Sequence, residues 1–290
     1  MPATCNGPPT LPRTSLPSMG QLLDFANRTV VITGAASGIG ASTAALLLAN
    51  GAEVIALDLA PVTSGIVFHP CDLGNPDNIN AVVEKLPATI HALMNCAGVP
   101  NGGRFSPEDV MRINWLGLRH LTELLLPRMS DESAVVHIAS TAGREWAQRL
   151  EQHRALMEAA TFDAGLAWIR SHGDVVGDGY AFSKEAVQYY TLWRSVQLLP
   201  RGVRMNSVCP GVTDTSIVAD FRKGLGDAVI DHATAVAGRM AEPKEMAPAL
   251  LFLADPASSS YVNGVNLNID RGTGAARATG QSDPHLIWGA

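Results

Sequence analysis

The sequence predicts a single α/β domain built on a doubly wound, mostly parallel sheet of seven strands. Three observations carry this expectation. Short β-branched or apolar runs alternate with Ala- and Leu-rich helical stretches over residues 27–272, the order of successive βαβ units. A glycine-rich turn interrupts the first unit, between Val30-Val31-Ile32 and a helical segment at 41–49. Finally, 290 residues with 47% hydrophobic content suffice for one sizeable core, and no linker-like stretch divides the middle of the chain.

Composition narrows the function. A net charge of −6 without a basic cluster argues against nucleic acid as a partner and for a small molecule. Cys5, Cys71, Cys96 and Cys209 are far apart and form no C-x-x-C pair, so neither a disulfide framework nor a zinc site is expected, and the chain reads as reduced and cytoplasmic. The eight histidines include no H-x-x-x-H or H-E-x-x-H spacing, so no metal is expected. No apolar run is long enough to span a bilayer. Residues 1–26 carry Pro2, Pro8, Pro9, Pro12 and Pro17 without the order of a signal peptide, and a disordered tail is expected there. Residues 273–290 read as a second tail, in which Leu286-Ile287-Trp288 could dock on a neighbour.

In chain order, the first strand leads into Thr33-Gly34-Ala35-Ala36-Ser37-Gly38-Ile39-Gly40, and Asn50-Gly51 stops the helix that follows. Glycines there let the backbone approach a pyrophosphate, whose charge the free N–H groups of a helix start can hold, as in a Rossmann fold. A purely structural turn is the alternative. The second strand, 53–58, ends in Asp58, about 20 residues beyond the glycines, where a ribose 2′-hydroxyl is met. A carboxylate there repels a 2′-phosphate, and Leu59, Ala60 and Pro61 supply no cation. NAD is therefore the expected cofactor, with a solvated loop Asp as the alternative. Asp72 ends a third strand and is placed either for an adenine edge or as a cap for a helix at 76–86. A fourth strand at 91–95 runs into Asn95-Cys96-Ala97-Gly98, small residues that allow a ligand close approach. A fifth, 134–139, delivers Ser140 to its carboxyl end, where open sheets bind ligands. Tyr180 and Lys184, four apart, share a helix face; an ammonium beside a phenol lowers the phenol pKa towards the working pH.

Taken together, T-G-x-x-x-G-x-G at 33–40, Asp58, Asp72-Leu73, the turn at 95–98 and Tyr180-x-x-x-Lys184 resemble the short-chain dehydrogenase/reductase family. The resemblance implies roles. Tyr180 would be the catalytic acid/base, Lys184 its partner and a ligand of the nicotinamide ribose, Ser140 the holder of the substrate oxygen, and Asn114 a support for proton exit. Gly34, Ser37, Gly38, Ile39, Gly40, Asp58, Asp72, Leu73, Asn95, Ala97 and Gly98 would contact the cofactor, together with Tyr180 and Lys184. Pro210, Val212, Thr213 and Thr215, in a turn after a sixth strand at 203–208, would hold the nicotinamide carboxamide. Cys96 stands where the family has a second Asn, and Arg271 interrupts a usual glycine pair.

Thirty-nine residues, 141–179, separate Ser140 from Tyr180, beyond the roughly 12–15 of a long structureless loop. The segment at about 145–172 is rich in helix formers. Trp146, Leu150, His153 and Met157 fall on one helix face, and Thr161 can cap a second helix. A helical hairpin is expected, with His153 packed or half-exposed rather than a ligand. The insertion, Gly143-Arg144-Glu145-Trp146 and Asn114-Trp115-Leu116-Gly117 resemble the subgroup containing coniferyl-alcohol dehydrogenase and bacterial 3α-hydroxysteroid dehydrogenase/carbonyl reductase. That implies an apolar, aromatic alcohol or its carbonyl partner as substrate, with Trp146 and Trp193 as wall residues or simply core. A hydroxysteroid or general carbonyl oxidoreductase is the rival, and an NAD-binding regulator without turnover the rival of another class. Residues 216–240, with Gly224, Gly226 and Gly238, read as a substrate lid or a peripheral helix. The insertion lies beside a surface through which family members pair, so a homodimer is expected, with a homotetramer as the alternative.

Overall fold

All five residues of Thr29–Thr33 (β1) are β-branched and buried. A strand covered on both faces needs no polar alternation. We describe residues 23–62, 65–102 and 104–282 in a computed structural model. After β1 come α1 (Gly38–Ala49), β2 (Glu53–Asp58), β3 (Val67–Pro70), α2 (Pro76–Val83) and β4 (Ala92–Asn95). Next, α3 (Pro107–Met111) passes through a π turn, Arg112–Gly117, into α4 (Leu118–Leu125), followed by β5 (Ala134–Ile138). The segment between Ser140 and Tyr180 folds as a 3-10 stretch, Thr141–Arg149, then α5 (Leu150–Glu158), α6 (Phe162–Ser171) and α7 (Gly173–Val176). The chain continues with α8 (Tyr180–Leu198), β6 (Arg204–Pro210), α9 (Val218–Leu225) and α10 (Asp227–Ala237). It closes with α11 (Ala247–Ala254), α12 (Pro256–Ser259), β7 (Asn266–Ile269) and α13 (Thr273–Ala278).

The strands form one sheet in the order β3-β2-β1-β4-β5-β6-β7, and every neighbouring pair is parallel. Strand order reverses between β1 and β4, so the crevice at their carboxyl ends is where a ligand belongs. One core layer packs Leu93, Trp115, Leu121, Val135 and Tyr190 on one face of the sheet. The other packs Ile32, Leu47, Val136, Leu250 and Leu251 on the opposite face.

The expected hairpin forms. Thr161 caps α6 by accepting from the Ala164 N–H at 3.1 Å. The last carbonyls of α5 are met by Arg119 of α4, whose guanidinium donates to Met157 O at 2.8 Å and Ala159 O at 2.9 Å. A cation at a helix C-terminus is favourable by charge as well as by hydrogen bonding. Gly165 lets α6 cross the π turn, since a Cβ there would lie 2.5 Å from Leu116 Cδ2.

Two expectations change. Residues 141–149 are 3-10 rather than α-helical, so Trp146 leaves the face of Leu150 and Met157. His153 takes the packed placement that was expected: it is fully buried, its ring stacks on Phe182 at 4.7 Å and its Nε2 lies 3.1 Å from Glu185 Oε2. Glu185 also accepts from Arg149 Nε at 2.9 Å, which ties the insertion to α8. The fold reaches past 27–272 at both ends. Phe25 is 1% exposed and its N–H donates to Asn50 O at 3.0 Å. At the other end the Asp270 carboxylate accepts from the N–H groups of Gly272 at 2.9 Å and Gly274 at 2.7 Å, which starts α13. Arg271 adopts φ of +51°, the left-handed backbone that the family's glycine would have taken without strain. The expectations for residues 1–22 and for Leu286-Ile287-Trp288 lie outside the described residues. Among the described residues no helix is long and apolar enough to cross a membrane.

Candidate active site

Two turns meet at the switch point because they lack side chains. Gly34 has φ of +70°, and a Cβ on it would lie 2.6 Å from Ala97 Cα; one on Gly40 would lie 2.0 Å from Gly34 O. Thr33 Oγ1 accepts from the N–H groups of Cys96 and Ala97, both at 3.1 Å, and so joins the glycine turn to the turn after β4. Ser37 is the extended N-cap of α1 and makes no capping bond. Ile39 packs against the adjoining core. A Cβ on Gly38 would meet Thr215 Cγ2 at 3.3 Å, so the turn after β6 reaches back across the crevice. Pro210 is buried, and Thr213 Oγ1 donates to Gly211 O at 3.1 Å beside half-buried Val212. Asp58 ends β2 with both carboxylate oxygens accepting, from Ala36 N–H at 2.9 Å and Ala60 N–H at 3.0 Å.

Ser140, Asn114, Tyr180 and Lys184 converge beside this crevice. Ser140 Oγ shares a hydrogen bond with the Tyr180 side chain and accepts from the Ala142 N–H at 3.1 Å. Lys184 Nζ donates to Ile138 O at 3.0 Å and lies 5.7 Å from the Tyr180 ring centroid. Asn114, fully buried on the π turn, grips Val99 through both backbone groups: Oδ1 accepts from its N–H at 2.8 Å and Nδ2 donates to its carbonyl at 2.9 Å. Single π turns are characteristic of functional sites. Gly98 lies between these groups, for a Cβ there would be 3.4 Å from Asn114 Oδ1 and 3.5 Å from Lys184 Nζ.

The electrostatics correct one expectation. Burial pushes the Tyr180 phenol well up, Asp178 adds to the rise, and only the bond to Ser140 acts downward. The Lys184 ammonium is held by Ile138 O, and burial brings its own pKa down to about 8. Cys96 is likewise unreactive, its thiol pushed up to about 12 by burial.

The Lys184 shift implies a pH effect. Between about pH 8 and its ordinary 10.5 the unfolded lysine is protonated and the folded one is not, so the burial penalty, full below pH 8, is relieved as pH rises. Lys184→Met is therefore expected to melt above the parent at pH 7, with the gap narrowing from pH 8 to 10. Thermal denaturation at several pH values checks this; a constant gap would refute it.

Three expected cofactor residues also have partners within the fold. Asn95 is buried, and its Nδ2 lies 3.0 Å from both Thr122 Oγ1 and His137 Nδ1, so its side chain braces β4 to α4 and β5. Asp72 Oδ1 accepts from Gly74 N–H at 2.8 Å, a local turn bond. The α2 cap is Asn75 instead. Leu73 points into the core, while its carbonyl faces Gly117. Sequence reasoning overlooked Gln188, one turn beyond Lys184, whose Nε2 donates to Ser140 O at 2.7 Å. It also gave Gly143 no physical role. A Cβ there would lie 2.5 Å from the Lys184 carbonyl carbon. The spacing of Gln188 from Lys184 was the available signal for the first.

Known proteins resemble this chain in sequence and in fold. A family described as short chain dehydrogenase matches residues 28–151, and one described as enoyl-(acyl carrier protein) reductase matches residues 166–274. The coniferyl-alcohol dehydrogenase of Pseudomonas sp. (strain HR199 / DSM 7063) is 34% identical over 86% of this chain and 98% of its own. The chain belongs to the short-chain dehydrogenase/reductase family. The 3-alpha-hydroxysteroid dehydrogenase/carbonyl reductase of Comamonas testosteroni is 30% identical over 85% of this chain and 96% of its own. Among solved structures, the 3-alpha-hydroxysteroid dehydrogenase of Pseudomonas sp. B-0831, complexed with NADH, superposes with a TM-score of 0.72 at 28% identity, covering 88% of this chain and 100% of that one. This short-chain dehydrogenase is thus an oxidoreductase of alcohol/carbonyl pairs that uses a nicotinamide cofactor. The side-chain-free cradle of Gly34 and Gly40, with the uncapped start of α1, fits a dinucleotide pyrophosphate.

Proposed function

We propose that this short-chain dehydrogenase works with NAD on an apolar, aromatic alcohol/carbonyl pair of the coniferyl type. The observation that carries the chemistry is the hydrogen bond between Ser140 and Tyr180, with Lys184 one turn away on the same helix face. When bound, NAD supplies the hydride acceptor, and NADH the donor. Tyr180 takes the hydroxyl proton of an alcohol or gives one to a carbonyl, and Ser140 donates a hydrogen bond to the same oxygen. Burial keeps Tyr180 protonated, the state that carbonyl reduction requires. Lys184 and Asn114, both bordering Gly98, would hold the ribose and carry the proton onward.

Asp58 supports NAD rather than NADP. Its carboxylate is held by two backbone N–H groups at the end of β2, where a 2′-phosphate would meet like charge. The wild type is expected to prefer NAD by kcat/KM, and Asp58→Ser to lose most of that preference. Initial rates with both cofactors test this; equal wild-type rates would overturn it. The likeness to the 3-alpha-hydroxysteroid dehydrogenase structure favours a second reading, a hydroxysteroid or general carbonyl oxidoreductase. Oxidation of cinnamyl-type against steroid alcohols separates the two.

A further inference from the structure

The stretch after Ser140, α10 and residues 273–282 close around a cavity of about 40 Å³. Val212, Ile230 and Val236 make part of its wall apolar, while Arg144, His232, Arg277 and Ser282 bring polar groups. Arg277 Nη1, His232 Nε2 and Ser282 Oγ are buried and have no hydrogen-bond partner among the described residues. Buried polar atoms without partners are rare and costly, and here three border one cavity. A guanidinium has only donors to offer, so the matching group is an acceptor, and a charged one for preference. The other nitrogen of the fork, Arg277 Nη2, lies 3.0 Å from Glu145 Oε1, and Arg144 Nε lies 3.4 Å from the same oxygen. The charge of Arg277 pushes the Arg144 pKa down, while Glu145 and Asp270 push it up.

Neighbours of the reacting groups border the cavity. Thr141, the residue after Ser140, lines it, and Ile230 packs in the same cluster as Tyr180 and Ala142. Its wall at Gly211, Val212, Ala233 and Thr273 is shared with a second cavity of about 320 Å³.

We propose that Arg277 and Arg144, with His232 and Ser282, form a carboxylate-binding subsite, and that the alcohol handled by Ser140 and Tyr180 is an apolar one bearing a carboxylate. This deepens the dehydrogenase reading and rests on it for turnover. The test compares NAD-dependent oxidation of 4-(hydroxymethyl)benzoate with that of its methyl ester. The acid is expected to have a kcat/KM higher by at least about tenfold, the value of one charge-assisted hydrogen bond. Arg277→Gln should bring the ratio close to one, chiefly through KM, and Arg277→Lys should restore part of it. Benzoate should inhibit oxidation of the ester competitively. Equal wild-type kcat/KM for acid and ester, a ratio unchanged in Arg277→Gln, or non-competitive inhibition would each overturn the subsite. Calorimetric titration with benzoate separates the two readings. Benzoate binding without oxidation of any alcohol would defeat the dehydrogenase reading, whereas oxidation without benzoate binding would defeat the subsite.

Discussion

Tyr180→Phe is expected to lower kcat by a factor on the order of 10²–10⁴, the worth of a positioned acid/base, with little change in stability. The ring is buried and packs edge-on to Phe221, with centroids 4.8 Å apart, and Phe keeps that contact. Only the hydroxyl and its bond to Ser140 are lost. Nicotinamide absorbance during turnover reads the rate, and fluorescence titration with NAD reads binding, which should persist. A variant that keeps more than about a tenth of the wild-type kcat would defeat Tyr180 as the proton-transfer group.

The second large effect is one of stability, at Glu185. This carboxylate is 1% exposed and meets Arg149 on one side and buried His153 on the other. Removing one member of a buried charged cluster typically costs about 3–5 kcal/mol. Arg149 is about a third exposed, at 34%, so water will recover part of its charge, and about 2–4 kcal/mol is the expected loss in Glu185→Ala. For a chain of this size that is a fall in Tm on the order of 5–15 °C. Glu185→Gln, which still accepts hydrogen bonds, should fall less. A scanning melt of both variants checks the order, and a loss below about 2 °C in Glu185→Ala would show that the insertion does not depend on this cluster.

The fold was legible because its signals are local. All-β-branched Thr29–Thr33, the glycine turn and the Asn50-Gly51 stop act within a few residues of one another, and the strands carry their own apolar pattern. The convergence of Ser140, Tyr180, Lys184 and Asn114 was legible through the resemblance, since nothing local brings Asn114 to Val99. What escaped was set across the fold. Asn95 looks like part of a ligand turn, yet its side chain finds Thr122 and His137 from two other elements. His153 sits on an amphipathic face, but how deeply it lies depends on Glu185, thirty-two residues on. The electrostatic correction has the same origin: sequence spacing puts Lys184 beside Tyr180, while the carbonyl of Ile138 decides where its ammonium points.

The π turn at Arg112–Gly117 has a consequence for how the site can be inherited. A π turn accommodates a residue more than an α turn does. Deleting one residue there would let α3 run straight into α4 with its hydrogen bonds intact. An α-helix turns by about 100° per residue, so Asn114 would swing away from Val99 while the core-facing register of α4 survived. The surplus residue is therefore a point at which a lineage could shed the site in one step and keep the fold.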